Sequence, residues 1–246
     1  MADVGKNGLG GIDAVLHTSV ATLYSNLVTR PTGRAVRFAI DQQILETRGT
    51  CLSILDLSRV SVIDFSCADE VIARLLRKYR QPDRPADAFF VLQGVSACHR
   101  ETIELVLQRH GLLLVAIEPD GPALWGQAPA RLRVAWDCLG RMGRAFTDEF
   151  ASARGLDARA ANSWLKRLVA WRVAVPDGQE GFSSLPSILD QRSAYRVFPL
   201  DLSLARVADE AAIYGDDAAA DETGDATSEI DPLLANPEPP ENLPAR

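Results

Sequence analysis

Long hydrophobic runs are missing from this chain of 246 residues, although 47% of its residues are hydrophobic. No segment approaches the roughly 20 consecutive apolar residues that a membrane-spanning helix needs. The first residues also lack the basic stretch and following apolar stretch that mark a secretory signal. The sequence therefore predicts a cytoplasmic protein with no membrane partner, and with enough apolar residues for one large core or two small ones.

Patterns that form disulfides or bind metals are also missing. The four cysteines are scattered without a CxxC pair, and the three histidines show no HExxH or Cys/His ligand spacing. We expect no metal and no cofactor, and no set of acid, base and nucleophile indicates an enzyme. Apolar surroundings predict reduced thiols in the core for all four cysteines, Cys51, Cys67, Cys98 and Cys138.

The net charge of −7 is distributed very unevenly along the chain. Residues 207–246 contain eleven acidic side chains and one arginine, a net of −10, whereas residues 1–206 carry +3. The acidic segment is rich in Asp, Glu, Ala and Pro, and such a composition cannot bury enough apolar surface to offset ordering. We therefore expect a disordered acidic tail over residues 204–246, and a mildly basic body for which nucleic acid remains a conceivable partner.

Strands alternate with helices over residues 13–127. Apolar runs at 51–57, 89–92 and 112–117 are typical of buried strands, and an apolar stripe from Ala68 to Tyr79 predicts a helix. Further helices are expected from Thr32 to about residue 48 and over 96–109, and an edge strand near 123–126. Residues 14–27 fit a helix or a strand. The alternation predicts an α/β domain, a small sheet covered by helices, after a flexible glycine-rich leader over residues 1–12.

The pattern changes at residue 128 to short consecutive helices. Helices are predicted over 131–143, 147–154 and 158–173, followed by a turn at Pro176-Asp177-Gly178 and an apolar strand over 194–200. This is the order expected of three helices and a β-wing. Residues 128–203 therefore resemble a helical winged-helix domain, most clearly in the stretch FTDEFASARGLDARAANSWLKRLVAWRV.

The segment SILDLSRVSVIDFSCADEVIARLL resembles the STAS domain of anti-sigma-factor antagonists. In that family a strand ends in Asp-Leu-Ser, a second apolar-Asp step follows, and a serine lies at the start of a helix. The matching positions here are Asp56 to Ser58, then Asp64, then Ser66. The resemblance extends over roughly residues 14–125. It implies a signalling domain whose partner is a regulatory protein, such as an anti-sigma factor, a kinase or a sensor.

Ser66 matches the serine whose phosphorylation decides partner choice in that family. A helix N-terminus favours a phosphate, and about two added negative charges would change which surface can dock. Phe65 and Cys67 stand where the usual family motif has Ser and Gly, which makes the loop bulkier. The resemblance thus implies a switch site at Ser66, flanked by the carboxylates of Asp64 and Asp69.

The residues around Ser66 also allow a purely structural interpretation. Ser66 to Asp69 has the form of a capping box, in which the serine accepts from the amide of Asp69 and Asp69 reaches back. A nucleophilic role for Cys67 is disfavoured because no histidine lies near it. A magnesium cluster of Asp56, Asp64 and Asp69 is also disfavoured, because carboxylates at strand ends commonly accept from loop amides.

The third helix of the winged-helix-like segment has an apolar face and an opposite polar face. The apolar face includes Trp164 and Trp171, which we expect in the core rather than as a stacking platform. Residues 129–200 carry eleven basic and seven acidic side chains, a modest excess for a DNA-binding module. The polar face could read a major groove through Arg159, Asn162, Ser163, Lys166 and Arg167.

Two functions therefore remain. The favoured one is a partner-switching regulatory protein that acts through protein contacts at Ser66. The alternative is a DNA-binding transcriptional regulator, in which the STAS-like domain senses a signal and the winged-helix-like domain binds DNA.

Overall fold

The computed structural model describes residues 11–47, 49–178 and 181–191 with their side chains, and residues 197–199 as backbone. All of these residues lie within one compact unit. The predicted tail over 204–246 and nearly all of the predicted leader lie outside the described residues. Within the described part, no helix combines the length and apolar character needed to cross a membrane.

A six-stranded mixed sheet confirms the predicted α/β class. Four strands run parallel in the order in which they occur in the chain, and a fifth pairs antiparallel at the edge, where an edge strand was predicted. These strands are β1 (Ala14–Ser19), β3 (Cys51–Asp56), β5 (Ala88–Gln93), β6 (Leu114–Glu118) and the edge strand β7 (Gly121–Trp125). The undecided segment 14–27 therefore begins as a strand, followed by a 3-10 turn (Val20–Thr22) and a two-residue strand, β2 (Asn26–Leu27).

Helices connect the parallel strands. The first helix, α1, begins at Arg30, two residues before the predicted start at Thr32, and it is capped by Thr29, whose side chain accepts from the amide of Thr32 at 3.3 Å. The second connection continues through a π-helical turn, in which the backbone bonds are shifted by one residue. The elements are α1 (Arg30–Glu46), β4 (Val62–Ile63), α2 (Phe65–Ala68), the π turn (Asp69–Ala73), α3 (Arg74–Arg80) and α4 (Ala97–Arg109).

All of these helices lie on one face of the sheet. Parallel strands that follow each other in chain order with right-handed crossovers place every crossover helix on the same side. The side chains along the strands agree with this placement. Every second residue, such as Ala14 and Leu16 of β1 and Phe90 and Leu92 of β5, packs in one core with the buried faces of these helices.

The opposite face of the sheet is equally apolar and is covered by residues 130–190. Val15, Leu52 and Phe89 belong to a second core, which also contains Trp136 and Leu165 from the C-terminal segment. The segment is built from α5 (Ala130–Met142), β8 (Arg144–Phe146), α6 (Thr147–Arg154), α7 (Ala158–Ala170), β9 (Ala174–Asp177), β10 (Gly181–Ser184) and α8 (Leu185–Asp190). We call this segment the C-terminal module. Its three predicted helices are confirmed as α5, α6 and α7.

One strand lies elsewhere than the sequence indicated. The apolar strand predicted over 194–200, next to a wing, is described as β11 (Val197–Pro199), and it pairs in parallel with β1 of the large sheet. The hairpin after α7 is formed by β9 and β10, and β10 also pairs with β8, which gives the order β8-β10-β9. The physical reason is that the free edge of β1 offers unpaired backbone groups that an apolar strand can satisfy.

Candidate interaction sites

Short strand pairing fixes the position of the loop that carries Ser66. Strand β4 pairs in parallel with β2, and the amide of Asp64 donates to the carbonyl oxygen of Leu27 at 2.8 Å. Helix α2 begins at the next residue. The start of this helix is therefore held at a fixed place beside the end of β2.

Asp64, rather than Ser66, caps helix α2. Its Oδ1 accepts from the amide of Cys67 at 2.8 Å and from the hydroxyl of Ser66 at 2.9 Å. Ser66 is the second residue of the helix and is half-buried. The predicted capping box of Ser66 and Asp69 is therefore wrong, because a carboxylate two residues earlier already occupies the capping position.

Asp69 contacts His110 and Arg30 instead of capping the helix. Its Oδ1 lies 2.6 Å from Nε2 of His110, and its Oδ2 lies 3.5 Å from a guanidinium nitrogen of Arg30. Glu70, the next residue of the π turn, is fully buried against arginines. The two carboxylates of the Ala-Asp-Glu motif thus hold α1 and the end of α4 against the π turn, and their charges are compensated there.

Exposed apolar side chains lie around the start of α2. Val28 follows β2, Val62 belongs to β4, and Leu105 projects from α4, and they are 48%, 46% and 51% exposed. Arg109, one turn after Leu105, stacks 5.5 Å from the ring of Phe65, so this side of α4 faces α2. We call Val28, Val62, Phe65 and Leu105 the α2 surface. Such a cluster of apolar groups beside a polar switch candidate suits protein docking.

Cys67 is a buried thiol. Its Sγ donates to the carbonyl oxygen of Thr29 at 2.7 Å, and burial, together with the charge of Asp64, raises the pKa of Cys67 to about 11. The thiolate form required of a nucleophile is therefore suppressed at neutral pH. Cys51 and Cys138 are also buried, but Cys98 is exposed at the start of α4, so the predicted core position is wrong for Cys98. Successive side chains of a helix point in different directions around its axis. Cys98 therefore lies on the solvent side although the next residue, His99, is buried.

Asp56 belongs to a row of polar side chains that the sequence analysis did not predict. Its carboxylate accepts from the amide of Ser58 at 2.9 Å and lies 3.3 Å from Nε2 of His17, which is 2.9 Å from Nε2 of Gln93. Burial raises the pKa of Asp56, but hydrogen bonds from Ser58 and Gln93 and the electrostatic interaction with His17 outweigh it and lower the pKa below its usual value. The signal in the sequence is that each of these residues lies at or near the end of a parallel strand.

The aspartates considered as a magnesium cluster bind different partners. Asp56 contacts His17, Asp64 caps α2, and Asp69 pairs with Arg30 and His110. Within the described part of the chain, no three His, Cys, Asp or Glu side chains come together in a way that could hold a metal ion.

The polar face of α7 is accessible. Asp157 caps the helix by accepting from the amide of Ala160 at 2.7 Å, and Leu165 and Leu168 are buried on the opposite side. Arg159, Ser163 and Lys166 are exposed, and Asn162 and Arg167 are half-buried. No ion pair among the described residues involves the charged groups of this face. Trp164 and Trp171 are partly buried against the second core.

A single arginine anchors the end of α7 to the large sheet. Nε of Arg172 donates to the carbonyl oxygen of Tyr79 at 3.1 Å, and Nη1 lies 2.6 Å from Oδ1 of Asp87. Its guanidinium also stacks 4.7 Å from the ring of Phe89. Arg172 has a φ of 60°, the only positive φ among the described residues other than glycine. Such strain persists only where surrounding contacts hold it.

Comparison with known proteins does not assign the chain to a family. Neither the protein-family models nor the curated proteins nor the solved structures contain a significant match to the chain. The function is therefore inferred from the residues and their arrangement.

Proposed function

We propose that this chain is a non-enzymatic cytoplasmic regulatory protein that acts as a STAS-type partner-switching module. Its docking site is the α2 surface, and Ser66 is the switch. The observation that carries the proposal is the exposure of three aliphatic side chains on the elements next to α2, which are Val28 after β2, Val62 of β4 and Leu105 of α4.

The hydrogen bond between Ser66 and Asp64 supplies a physical switch. In the unmodified chain the hydroxyl of Ser66 donates to Asp64, which also caps the helix. A phosphoryl group on Ser66 has no proton to donate at neutral pH and would repel the carboxylate of Asp64. The loop would then have to move, and the neighbouring α2 surface would move with it. The partner implied by the resemblance is an anti-sigma factor, a kinase or a sensor protein.

Binding to a partner purified from the native host tests this proposal. The partner is first captured by the wild-type chain, and its Kd is then compared for wild type, Ser66→Ala, Ser66→Asp and Val62→Asp. We expect at least a tenfold difference in Kd between the two Ser66 variants, and loss of binding for Val62→Asp. Val134→Asp, at an exposed valine of α5, is the matched control and should bind normally. Equal Kd values for Ser66→Ala and Ser66→Asp would reject the switch.

The second candidate function is DNA-binding regulation by a winged-helix domain. It is favoured by the exposed Arg159 and Lys166 of α7, which form no ion pair with any described residue. It is also favoured by the order α5, β8, α6, α7, β9, β10, which resembles a winged helix with α7 as its recognition helix. The acidic tail would compete for this face. Retardation of duplex DNA by the chain shortened after Arg206 tests the idea, and absence of retardation at low salt over varied duplexes would reject it.

A further inference from the structure

A separate basic surface lies on α1 and α3, two of the helices that cover one face of the large sheet. Its side chains recur at positions i, i+4 and i+7 of α1 and i, i+3 and i+4 of α3, so each helix presents them on one side. We call it the α1–α3 surface, and it consists of Arg30, Arg34, Arg37, Arg74, Arg77 and Lys78. It belongs to the face of the sheet opposite the C-terminal module. It is therefore distinct from the polar face of α7.

Three guanidinium groups of this surface converge on one buried carboxylate. Nitrogen atoms of Arg30, Arg74 and Arg37 lie 3.1, 3.3 and 3.5 Å from the oxygens of Glu70. The close approach of the helices makes this possible, because a Cβ atom on Gly33 of α1 would lie only 2.8 Å from Cβ of Glu70. The arginines are thereby held in place before any ligand arrives.

The acids of the network are hidden, whereas its cations face the solvent. Asp41 is buried and lies 3.0 Å from Nζ of Lys78, and the carboxylates of Asp69 and Glu70 are buried as well. In contrast, the side chains of Arg74, Arg30 and Lys78 are 50%, 42% and 37% exposed. Even with Arg34 left out, five cations lie above three buried acids among the described residues, which leaves an outward surface of net positive charge. Each guanidinium also has more donors than these acids use.

We propose that the α1–α3 surface binds the phosphate backbone of nucleic acid. Five of its six cations are arginines, whose planar forks match phosphate oxygens in pairs. Among the described residues, no large exposed apolar side chain lies within the basic stretches 30–37 and 74–80. An acidic protein partner fits less well, because the core of a protein interface needs exposed apolar side chains and these stretches present none that are large. Contacts to phosphates carry no sequence information, so this surface would contribute affinity rather than sequence specificity.

Anisotropy of labelled nucleic acid tests the proposal on the full-length chain. The probes are a duplex DNA of about 20 base pairs and a single-stranded RNA of about 20 nucleotides, titrated between about 50 and 200 mM salt, where phosphate contacts dominate the salt response. The variant is Arg74→Gln with Arg77→Gln. The control is Arg100→Gln with Arg109→Gln on α4, which removes the same charge from the same side of the sheet.

We expect the α1–α3 variant to bind at least one probe about tenfold more weakly, with a salt slope lower by about two, since about one unit is lost per phosphate contact. The α4 control should stay within about twofold of wild type. Arg77 is exposed and does not contact Glu70, so the single variant Arg77→Gln should fold even if the double variant does not. We expect this single variant to show about half of the change in salt slope.

Four outcomes would overturn the proposal. The first is that wild type binds neither probe, and the second is that the α4 control weakens as much as the α1–α3 variant. The third is that polyglutamate displaces the probe as well as unlabelled DNA at equal charge, which would assign the surface to acidic proteins. The proposal is independent of α7. If only Arg159→Glu with Lys166→Glu weakens binding, the contact belongs to α7 and the α1–α3 surface plays no part.

Discussion

At the scale of single residues, the start of α2 depends on one carboxylate. Asp64 accepts from both the amide of Cys67 and the hydroxyl of Ser66. The amide would otherwise be an unsatisfied donor of the first helical turn, whereas the hydroxyl can turn toward water. Asp64 and Ser66 therefore contribute differently to the free energy of unfolding, although both belong to the candidate switch.

We predict that Asp64→Ala lowers the free energy of unfolding by about 1 kcal/mol, the usual effect of losing an N-cap. Ser66→Ala should have a smaller effect, because the amide of Cys67 keeps its partner. Urea unfolding of both variants, followed by circular dichroism, measures the difference. An equal or larger loss for Ser66→Ala would contradict the assignment of Asp64 as the cap.

The ion pair of Arg172 and Asp87 leads to a prediction about pH. Burial raises the pKa of Asp87, but the bonds and charges of Arg172 and Arg84 outweigh it and lower the pKa below the usual 3.8. A carboxylate whose pKa is lowered on folding stabilises the protein above its unfolded pKa, and this contribution is lost as the pH falls through the folded pKa.

Stability should therefore decrease below about pH 4, and part of this decrease should disappear in Asp87→Asn. The measurement is urea unfolding at a series of pH values for wild type and variant. Asp148→Asn, at an exposed carboxylate of α6, is the control and should keep the wild-type profile. Identical profiles for wild type and Asp87→Asn would show that the pair does not contribute.

At the scale of elements, the buried and exposed faces of α7 are so well separated that its exposed face can be changed without unfolding the protein. We predict that Arg159→Glu with Lys166→Glu leaves the melting temperature nearly unchanged, because both side chains are exposed and lie opposite Leu165 and Leu168. If the second candidate function holds, the same change abolishes DNA retardation by the chain shortened after Arg206. Retained retardation would exclude the α7 face as the contact.

Strand β11 shows how an element can be assigned correctly and placed wrongly. Its apolar character indicates a strand, but the sequence does not say which strand it pairs with. The edge of β1 and the hairpin after α7 were both open to it, and the structure pairs it with β1. Truncation after Gln191 should therefore lower the melting temperature, whereas truncation after Arg206, which retains β11, should leave it nearly unchanged. A drop of many degrees on truncation after Arg206 would show that later residues pack on the folded unit.

At the scale of the whole molecule, the large sheet needs the C-terminal module. Crossover helices cover only one face, and the other face presents large apolar side chains such as Leu52, Ile54 and Phe89 to the module. Exposing this surface would remove a major part of the hydrophobic stabilisation. Residues 13–127 expressed alone should therefore be insoluble or bind a hydrophobic dye, unlike residues 11–206. A soluble 13–127 fragment with a cooperative thermal transition would contradict this dependence.

The sequence by itself determined the local elements. Periodic apolar residues predicted the helices at 68–79, 147–154 and 158–173, and apolar runs predicted β3, β5 and β6, because these signals depend only on near neighbours in the chain. The same periodicity predicted the polar face of α7. In the structure its Arg159, Ser163 and Lys166 are exposed, and its Asn162 and Arg167 are half-buried. Fold class followed from the alternation of strands and helices.

Only the tertiary structure decided how these elements share cores and charges. Apolar strands show that both faces of the sheet are buried, but not that residues 130–190 cover one of them. The Asp-Glu pair after Ser66 likewise indicates a polar helix start in the sequence, whereas in the fold it lies beneath arginines that come about 40 residues earlier in the chain. Contacts between distant residues depend on strand order and helix packing, and no local pattern encodes either.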